Sequence, residues 1–584
     1  MLAPLHKILF AIAITVPHVL AAQDAPPPNV SYSSDPEILE QGAQLFAQQC
    51  AGCHTLANDA IAPPLGGITS LLHEGQLTKW IREPEKVLAS GDARANALLN
   101  RYKVAMPPFD HLATAQISSI LAYIHHESDK RDLVSFKVAT AQNQTRLIPA
   151  VEKSNLIIEL EDFAQIPRLP NRPAYKGIAF MRPDPREDNA YFVSELMGLL
   201  YRLKDDKLTT FLDVREHFSR FVYEPGVATG LGSFAFHPDF SNNGIFYTTH
   251  AEIRHGSPAI NADDIPDDAP EGVSPPLEWT LSEWRLDQIN APTFAGTRSE
   301  ILRFVTPTTA HGSQEIDFSP VSDLTDPDYG MLYIACGDGG SINLKRPDMA
   351  GHPHAILGAI MRIDPMGTNA ANGQYGIPPD NPFANSSDPL VHQEIWAYGF
   401  RNPHRFTWDD SPKPRMIAVD IGESNVEEIN IIEPGGSYGW GVAALEGTTH
   451  IDPIVDAKIV RGATPEELAG TQLPHAQYDH IDGSAITGGF VYRGPLKALQ
   501  GKYIFGDIVN GRIFYMNWDA SLRDRSIYEL NIIQDGVITD IRKLSKVDRA
   551  HLRFAYDDRS GDLFILTKDD GKIRRISNAY EATY

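Results

Sequence analysis

Cysteine is almost missing from this chain. Three occur in 584 residues, at positions 50, 53 and 336, too few for the disulfide framework of a small secreted domain. Long apolar runs are missing too. The longest, Ile8 to Leu20, is interrupted by Thr15, Pro17 and His18 and is short for a bilayer span. Positive charge is scarce: 51 basic residues face 75 acidic ones, a net charge of -24 with no long basic run. That argues against nucleic acid or an anionic membrane as partner. Beyond about residue 155 helical periodicity nearly vanishes, and no crisp internal repeat replaces it. The length calls for two or more domains.

What is present centres on Cys50-Ala51-Gly52-Cys53-His54. Two thiols three residues apart, followed at once by an imidazole, form the C-x-x-C-H pattern of covalent c-type haem attachment. The thiols add to the two haem vinyl groups and His54 becomes an axial iron ligand. A zinc site would need further ligands at close spacing, and the remaining cysteine, Cys336, is far along the chain. A redox dithiol would not need His54. The N-terminus agrees with export: Lys7, the apolar stretch and Val19-Leu20-Ala21-Ala22 predict a signal peptide over residues 1–22, with an uncleaved anchor as the other reading. A periplasmic or secreted protein is expected. Gln23 to Ser34, with three consecutive prolines, reads as a flexible lead-in.

A small all-α haem domain is expected over 34–128. Asp35-Pro36 is a helix start, and Ile38, Leu39, Gly42, Leu45 and Phe46 follow at helical spacing. Ile117, Ile120, Leu121 and Ile124 mark a second helix. Met106, in Ala105-Met106-Pro107-Pro108-Phe109, is the sole methionine after Met1 and before residue 180, which makes it the favoured sixth iron ligand. His73, His111 or an open site are the alternatives. The Gly42...Phe46...Cys50–His54 helix, Ala62-Pro63-Pro64-Leu65, Met106-Pro107-Pro108-Phe109 and the last helix ending Leu121-Ala122-Tyr123-Ile124 resemble the class I cytochrome c family.

Residues 129–155 read as a linker. From 156 to 578 short strands alternate with turn chemistry. Asn510-Gly511 and Asp569-Asp570-Gly571 each join two strand-like runs as a tight hairpin. So much all-β chain without helices or a disulfide fits a β-propeller, and six blades of roughly 70 residues would use the length. Polar segments sit at several strand ends: Thr309-Ala310-His311-Gly312, Cys336-Gly337-Asp338-Gly339-Gly340, Phe400-Arg401-Asn402-Pro403 and Asp420-Ile421-Gly422-Glu423-Ser424. A His with an Asp can be a general base and its orienting partner. An Arg can stabilise developing negative charge, and carbonyls in a Gly-rich turn suit Ca²⁺. Taken singly, each is an ordinary turn or cap.

Taken in order they resemble the glucose/sorbosone dehydrogenase family over about 156–578. The carriers are Phe234-Ala235-Phe236-His237-Pro238-Asp239-Phe240, the His311 loop, Leu332 to Gly340, Tyr375 to Phe383, Ile395 to Pro403, and Val426 to Asn430 leading into Tyr438-Gly439-Trp440. The resemblance implies a six-bladed propeller that uses pyrroloquinoline quinone (PQQ) and Ca²⁺. It makes His311 the base, Asp338 its orienting acid, Arg401 and Asn402 quinone contacts, and the carbonyls of Gly422 and Glu423 calcium ligands. Departures accompany it. A family glutamine falls near Ala228 and the PQQ lysine near Val509; the next lysine after that is Lys543, and two family arginines have approximate counterparts in Arg549 and Arg553. The expected protein is an extracytoplasmic oxidoreductase that oxidises a sugar or related alcohol or aldehyde at PQQ. Its electrons would pass to the fused haem and then to a downstream cytochrome or terminal oxidase. The other expectation is an electron-transfer cytochrome carrying a non-catalytic, calcium-stabilised propeller as a binding module.

Overall fold

The computed structural model describes residues 32–582 except 52, 57–61, 103–105, 132, 134–147, 168–176, 224–228, 263–264, 266–275, 342–343, 424, 453–457, 520 and 548. The expected signal peptide, Gly52, Ala228 and most of the 129–155 linker lie outside the described residues. No helix among the described residues is long and apolar enough to cross a membrane.

The N-terminal domain is helical: α1 (Pro36–Gln49), α2 (Ile68–Leu71), α3 (Glu74–Arg82), α4 (Pro84–Ala89), α5 (Ala93–Tyr102) and α6 (Thr114–Lys130). The Asp35 carboxylate accepts the Glu37 N–H at 2.9 Å and Pro36 fills the first helical position. Both stabilise the start of α1, where backbone donors would otherwise be unpaired. The first and last long helices cross in contact. A Cβ at Gly42 would come 2.8 Å from the Tyr123 Cβ and overlap the Ser119 backbone, so only glycine permits this approach. Phe46 and Tyr123 pack beside it with tilted rings, 5.5 Å between centroids, with Leu77, Ile117, Ile120 and Ile124 completing the core. Each such burial is worth about 1.5–3 kcal/mol.

The rest of the chain is almost entirely β. Four sheets are four-stranded and antiparallel, beginning with strands Ile178–Pro183, Leu231–Phe236, Glu315–Phe318 and Pro403–Trp408. A nine-stranded sheet contains two further runs of four, beginning with Ile486–Val491 and Leu552–Asp557. The strand Glu152–Gln165 joins them. It runs antiparallel to Lys572–Glu581 and parallel to Tyr528–Gln534, so the first strand of the domain completes the last sheet. The leading strands of successive sheets touch one another around a closed ring. Strands inside this ring are covered on both faces. Ala190–Glu195 and Leu332–Cys336 are therefore buried at every residue and read as continuous rather than alternating apolar runs. A three-stranded sheet, Leu445–Glu446, Thr449–Asp452 and Lys458–Gly462, is inserted between the last two strands of the fourth sheet.

Candidate functional site

The haem motif lies at the end of α1. Cys50 caps the helix through its N–H to the Phe46 carbonyl, 2.8 Å, and the N–H groups of Cys53 and His54 both donate to the Cys50 carbonyl, at 3.0 and 2.9 Å. One tight turn thus carries both thiols and the imidazole. His54 Nδ1 lies 2.7 Å from the Pro63 carbonyl. That bond uses Nδ1 as donor and leaves Nε2 for a metal, the usual way a ligating histidine is oriented. Burial pushes the His54 pKa down, which keeps the imidazole in its ligating, neutral form. Leu65, Leu72, Ile81 and Phe109 are only partly covered where they pack on the core, a surface that suits a flat apolar macrocycle. Of the three candidate sixth ligands, Met106 is half-buried, whereas His73 and His111 are exposed. The Met106 loop is tied back to α3 by the Phe109 N–H to the Ile81 carbonyl, 2.9 Å. The donor set fits a covalent haem.

In the β-domain the ring brings His311, Asp338, Arg401 and Asn402 together. His311 Nδ1 is 2.6 Å from Asp338 Oδ1. Its backbone is held at φ 48°, a left-handed conformation that costs a non-glycine residue about 1–2 kcal/mol; such strain concentrates at functional positions. Gly337 makes the approach possible, since a Cβ there would lie 2.6 Å from the His311 Cβ. Asp338 is saturated: it also accepts the Gly340 N–H at 2.8 Å, Trp440 Nε1 at 3.0 Å and Ser341 Oγ at 3.1 Å. Burial alone would raise its pKa, but His311, Arg401 and these donors hold it below the usual carboxylate range. An ionised Asp338 requires a proton on Nδ1 and leaves His311 Nε2 as a proton acceptor.

Arg401 adjoins this pair. Its carbonyl accepts the Asp338 N–H at 2.7 Å, and its guanidinium sits 5.8 Å from the Trp440 ring. Its own N–H and that of Asn402 donate to Asp420, at 2.9 and 2.6 Å. The guanidinium bonds Glu423 through Nε, 2.7 Å, and again through Nη2, and donates from Nη1 to the Ile421 carbonyl at 3.0 Å. Gly422 and Glu423 therefore lie in the turn directly beyond the Arg401 contact. That turn is organised by buried Glu446, which accepts the N–H groups of Glu423 and Val426, both at 3.0 Å. Asp420 and Glu428 face each other across paired strands. Burial first, then neighbouring carboxylates, raise both, Glu428 to about 7. Among the described residues no group of three or more His, Cys, Asp or Glu is set to hold a metal.

A second constellation is not evident in the sequence. Arg405 and His404 from the fourth sheet, Arg553 and Lys568 from the last sheet and Arg549 from the loop before it form one electrostatically linked cluster. Arg405 spans the ring from the fourth sheet: it donates to the Gln314 carbonyl at 2.6 Å and lies 3.9 Å over the Phe180 ring. Arg553 and Lys568 are 5% and 6% exposed. Among the described residues, neither ring nitrogen of buried His404, nor the Nε of Arg549 or Arg553, has a hydrogen-bond partner. Burial and then mutual repulsion drive His404, Arg553 and Lys568 well below their ordinary pKa values. Buried cations without partners are costly unless an anion joins them. His404 feels His311 as well as this cluster, so base and cations share one site. The donor set fits a polycarboxylate such as PQQ.

Fold and sites together define a c-type cytochrome domain fused to a ring of β-sheets with a cationic axial site. The chain belongs to the glucose/sorbosone dehydrogenase family, whose profile matches residues 181–575, and carries a cytochrome c domain matched over 39–128. HIPL1 protein of Arabidopsis thaliana is 28% identical over 379 residues, 57% of this chain, which spans about half, 51%, of that relative's length. Aldose sugar dehydrogenase YliI of Escherichia coli (strain K12) is 26% identical over 384 residues, 59% of this chain and 88% of that relative. A crystal structure of a glucose dehydrogenase aligns over 72% of this chain and 99% of its own, with TM-score 0.51 at 19% identity. That likeness shows the fold.

Proposed function

We propose that the chain is a quinohaemoprotein oxidoreductase that oxidises an aldose, or a related alcohol or aldehyde, and delivers the electrons to its own haem c. One observation carries this reading: the His311–Asp338 pair and the buried cations Arg553 and Lys568 all neighbour His404. PQQ, when bound there, supplies a two-electron acceptor. His311 Nε2 takes the proton of the substrate hydroxyl, Asp338 holds the ring and stabilises the imidazolium, and Arg401 faces the oxygen that gains negative charge. Arg401, Asn402 and Arg553 contact the cofactor. The Gly422 and Glu423 carbonyls would hold Ca²⁺, and Met106 would be the second protein ligand of the haem iron. The covalent tether gives the haem a high local concentration at the site, and Cys53 already lies within electrostatic reach of Arg549. We read six blades in the closed ring of leading strands, a haem domain at 34–128, a linker at 129–155 whose last residues from Glu152 enter the first strand, and a propeller at 156–578 whose last strand runs on to Glu581. We place the protein in the periplasm or outside the cell, with a cytochrome or terminal oxidase as final acceptor.

The test is optical. Oxidised, haem-loaded protein receives PQQ, Ca²⁺ and a panel of aldoses and alcohols. Haem reduction that needs PQQ and substrate together, and is lost in His311→Ala, supports the reading. A haem that stays oxidised across the panel, with no calorimetric binding of PQQ, overturns it and leaves the ring as a binding module.

A further inference from the structure

We propose that Lys568 is a dedicated counter-ion of the cofactor: its ammonium closes an ion pair with one carboxylate of the bound quinone. The inference rests on the reading that PQQ occupies this site. Lys568 follows directly after the strand Asp562–Thr567. Its carbonyl packs so tightly on Gly177 that a Cβ there would overlap it, which fixes the backbone where the last sheet meets the first. A lysine normally leads its charge back to water along its flexible stem. This one is 6% exposed and makes no hydrogen bond or ion pair among the described residues.

Local partners were within reach of the chain but are taken by others. Asp570, two residues on, accepts from Thr567, from the Lys572 N–H at 3.0 Å and from Arg574 at 2.7 Å. Asp569, next in sequence, is bonded to His551 Nδ1 at 2.7 Å. The charges that act most on Lys568 are Arg553 from the leading strand of its own sheet, Arg405 from the fourth sheet, Arg549 from the preceding loop and the acid Asp569. Three cations and one engaged carboxylate leave the amine no reason to be charged without a ligand. An anion entering between these groups reverses that balance. Burial first, and then Arg553, Arg405 and Arg549, hold the Lys568 pKa well below its ordinary value, so its charged form is disfavoured until an anion enters. The carboxylates of free PQQ are ionised at neutral pH, so the proton that makes the ammonium comes from solvent.

The experiment titrates PQQ into the full-length, haem-loaded protein with Ca²⁺ at pH 8, by calorimetry in two buffers of different ionisation enthalpy. Wild type should take up more protons per PQQ than Lys568→Arg, whose guanidinium is always charged, while the two affinities stay within about threefold. Lys568→Met should lose the same extra uptake and bind about 30-fold more weakly or worse, as expected when one partner of a buried ion pair is removed. Equal proton uptake in wild type and Lys568→Arg overturns the proposal, even if Lys568→Met does not fold. Lys568→Met that folds and binds as tightly as wild type overturns it too. Wild type that binds no PQQ removes the functional reading and this proposal together.

Discussion

Two histidine–aspartate pairs in the β-domain match in hydrogen-bond length, backbone conformation and exposure. His311 Nδ1 is 2.6 Å from Asp338 and His551 Nδ1 is 2.7 Å from Asp569. Both histidines are left-handed, at φ 48° and 47°. Their side chains are equally covered, 16% and 15% exposed. The surroundings differ. Asp338 is held ionised by four donors and Arg401, so it can stabilise a cation forming on its histidine. His551 sits beside Arg549 and Lys568, and burial followed by Arg549 pushes its pKa down to about 4. An imidazole so disfavoured as a cation is a weak proton acceptor at neutral pH. An identical hydrogen bond therefore does not by itself set what a histidine can do; for His551, burial first and then the Arg549 charge oppose the cation.

The largest expected effect breaks this comparison outright. His311→Ala should lower the rate of substrate-driven haem reduction about 10²–10⁴-fold, the range for loss of a general base. His551→Ala should cost less than about tenfold in the same stopped-flow assay and act mainly on PQQ affinity. Equal losses would make His551 a second base and refute the distinction drawn from charge. The acids sharpen the contrast at smaller scale. Asp338→Asn should lower kcat about 10–100-fold with KM little changed, because a partner that orients a catalytic histidine acts through it. Asp569→Asn should leave kcat within about threefold, since His551 moves no proton in the reaction.

How legible these features were depends on how far apart their residues lie in the chain. The haem motif is contiguous, so Cys50, Cys53 and His54 declare their chemistry in sequence, and Asp35-Pro36 declares the helix that carries them. The hairpins at Asn510-Gly511 and Asp569-Asp570-Gly571 read correctly because turn chemistry is local: strands Lys502–Asp507 and Ile513–Asn517, and Asp562–Thr567 and Lys572–Glu581, flank them. His311 and Asp338 are 27 residues apart, and no pattern in the sequence links them without a resemblance to known proteins. Arg405, Arg549, Arg553 and Lys568 carried no signal as a group. Each is a single basic residue in or beside a strand or loop, indistinguishable from a solvated one until ring closure removes the water. Lys568 in particular reads as the flank of a hairpin. The signal that could have found it is the absence of any lysine near Val509, which obliges an anionic cofactor to find its cation elsewhere.

The smallest effect separates the two pairs without any cofactor. The unfolded His551 imidazole binds a proton below about pH 6.5, whereas the folded one does so only near 4. Between those values the unfolded chain holds more protons, so folding stability is complete above pH 6.5 and falls as the pH drops towards 4. The loss attributable to this group is at most roughly 3 kcal/mol. His475, also pushed to about 4 by burial, adds to the slope, so wild type alone does not isolate it. His551→Gln does. The variant lacks the titrating group but keeps a polar side chain beside Asp569. Its melting temperature, followed by far-ultraviolet circular dichroism, should lie below wild type at pH 7.5, and the gap should narrow by pH 4.5. A gap that stays constant across this range would mean that His551 is not held neutral in the fold. The contrast between the two histidine pairs would then lose its electrostatic basis.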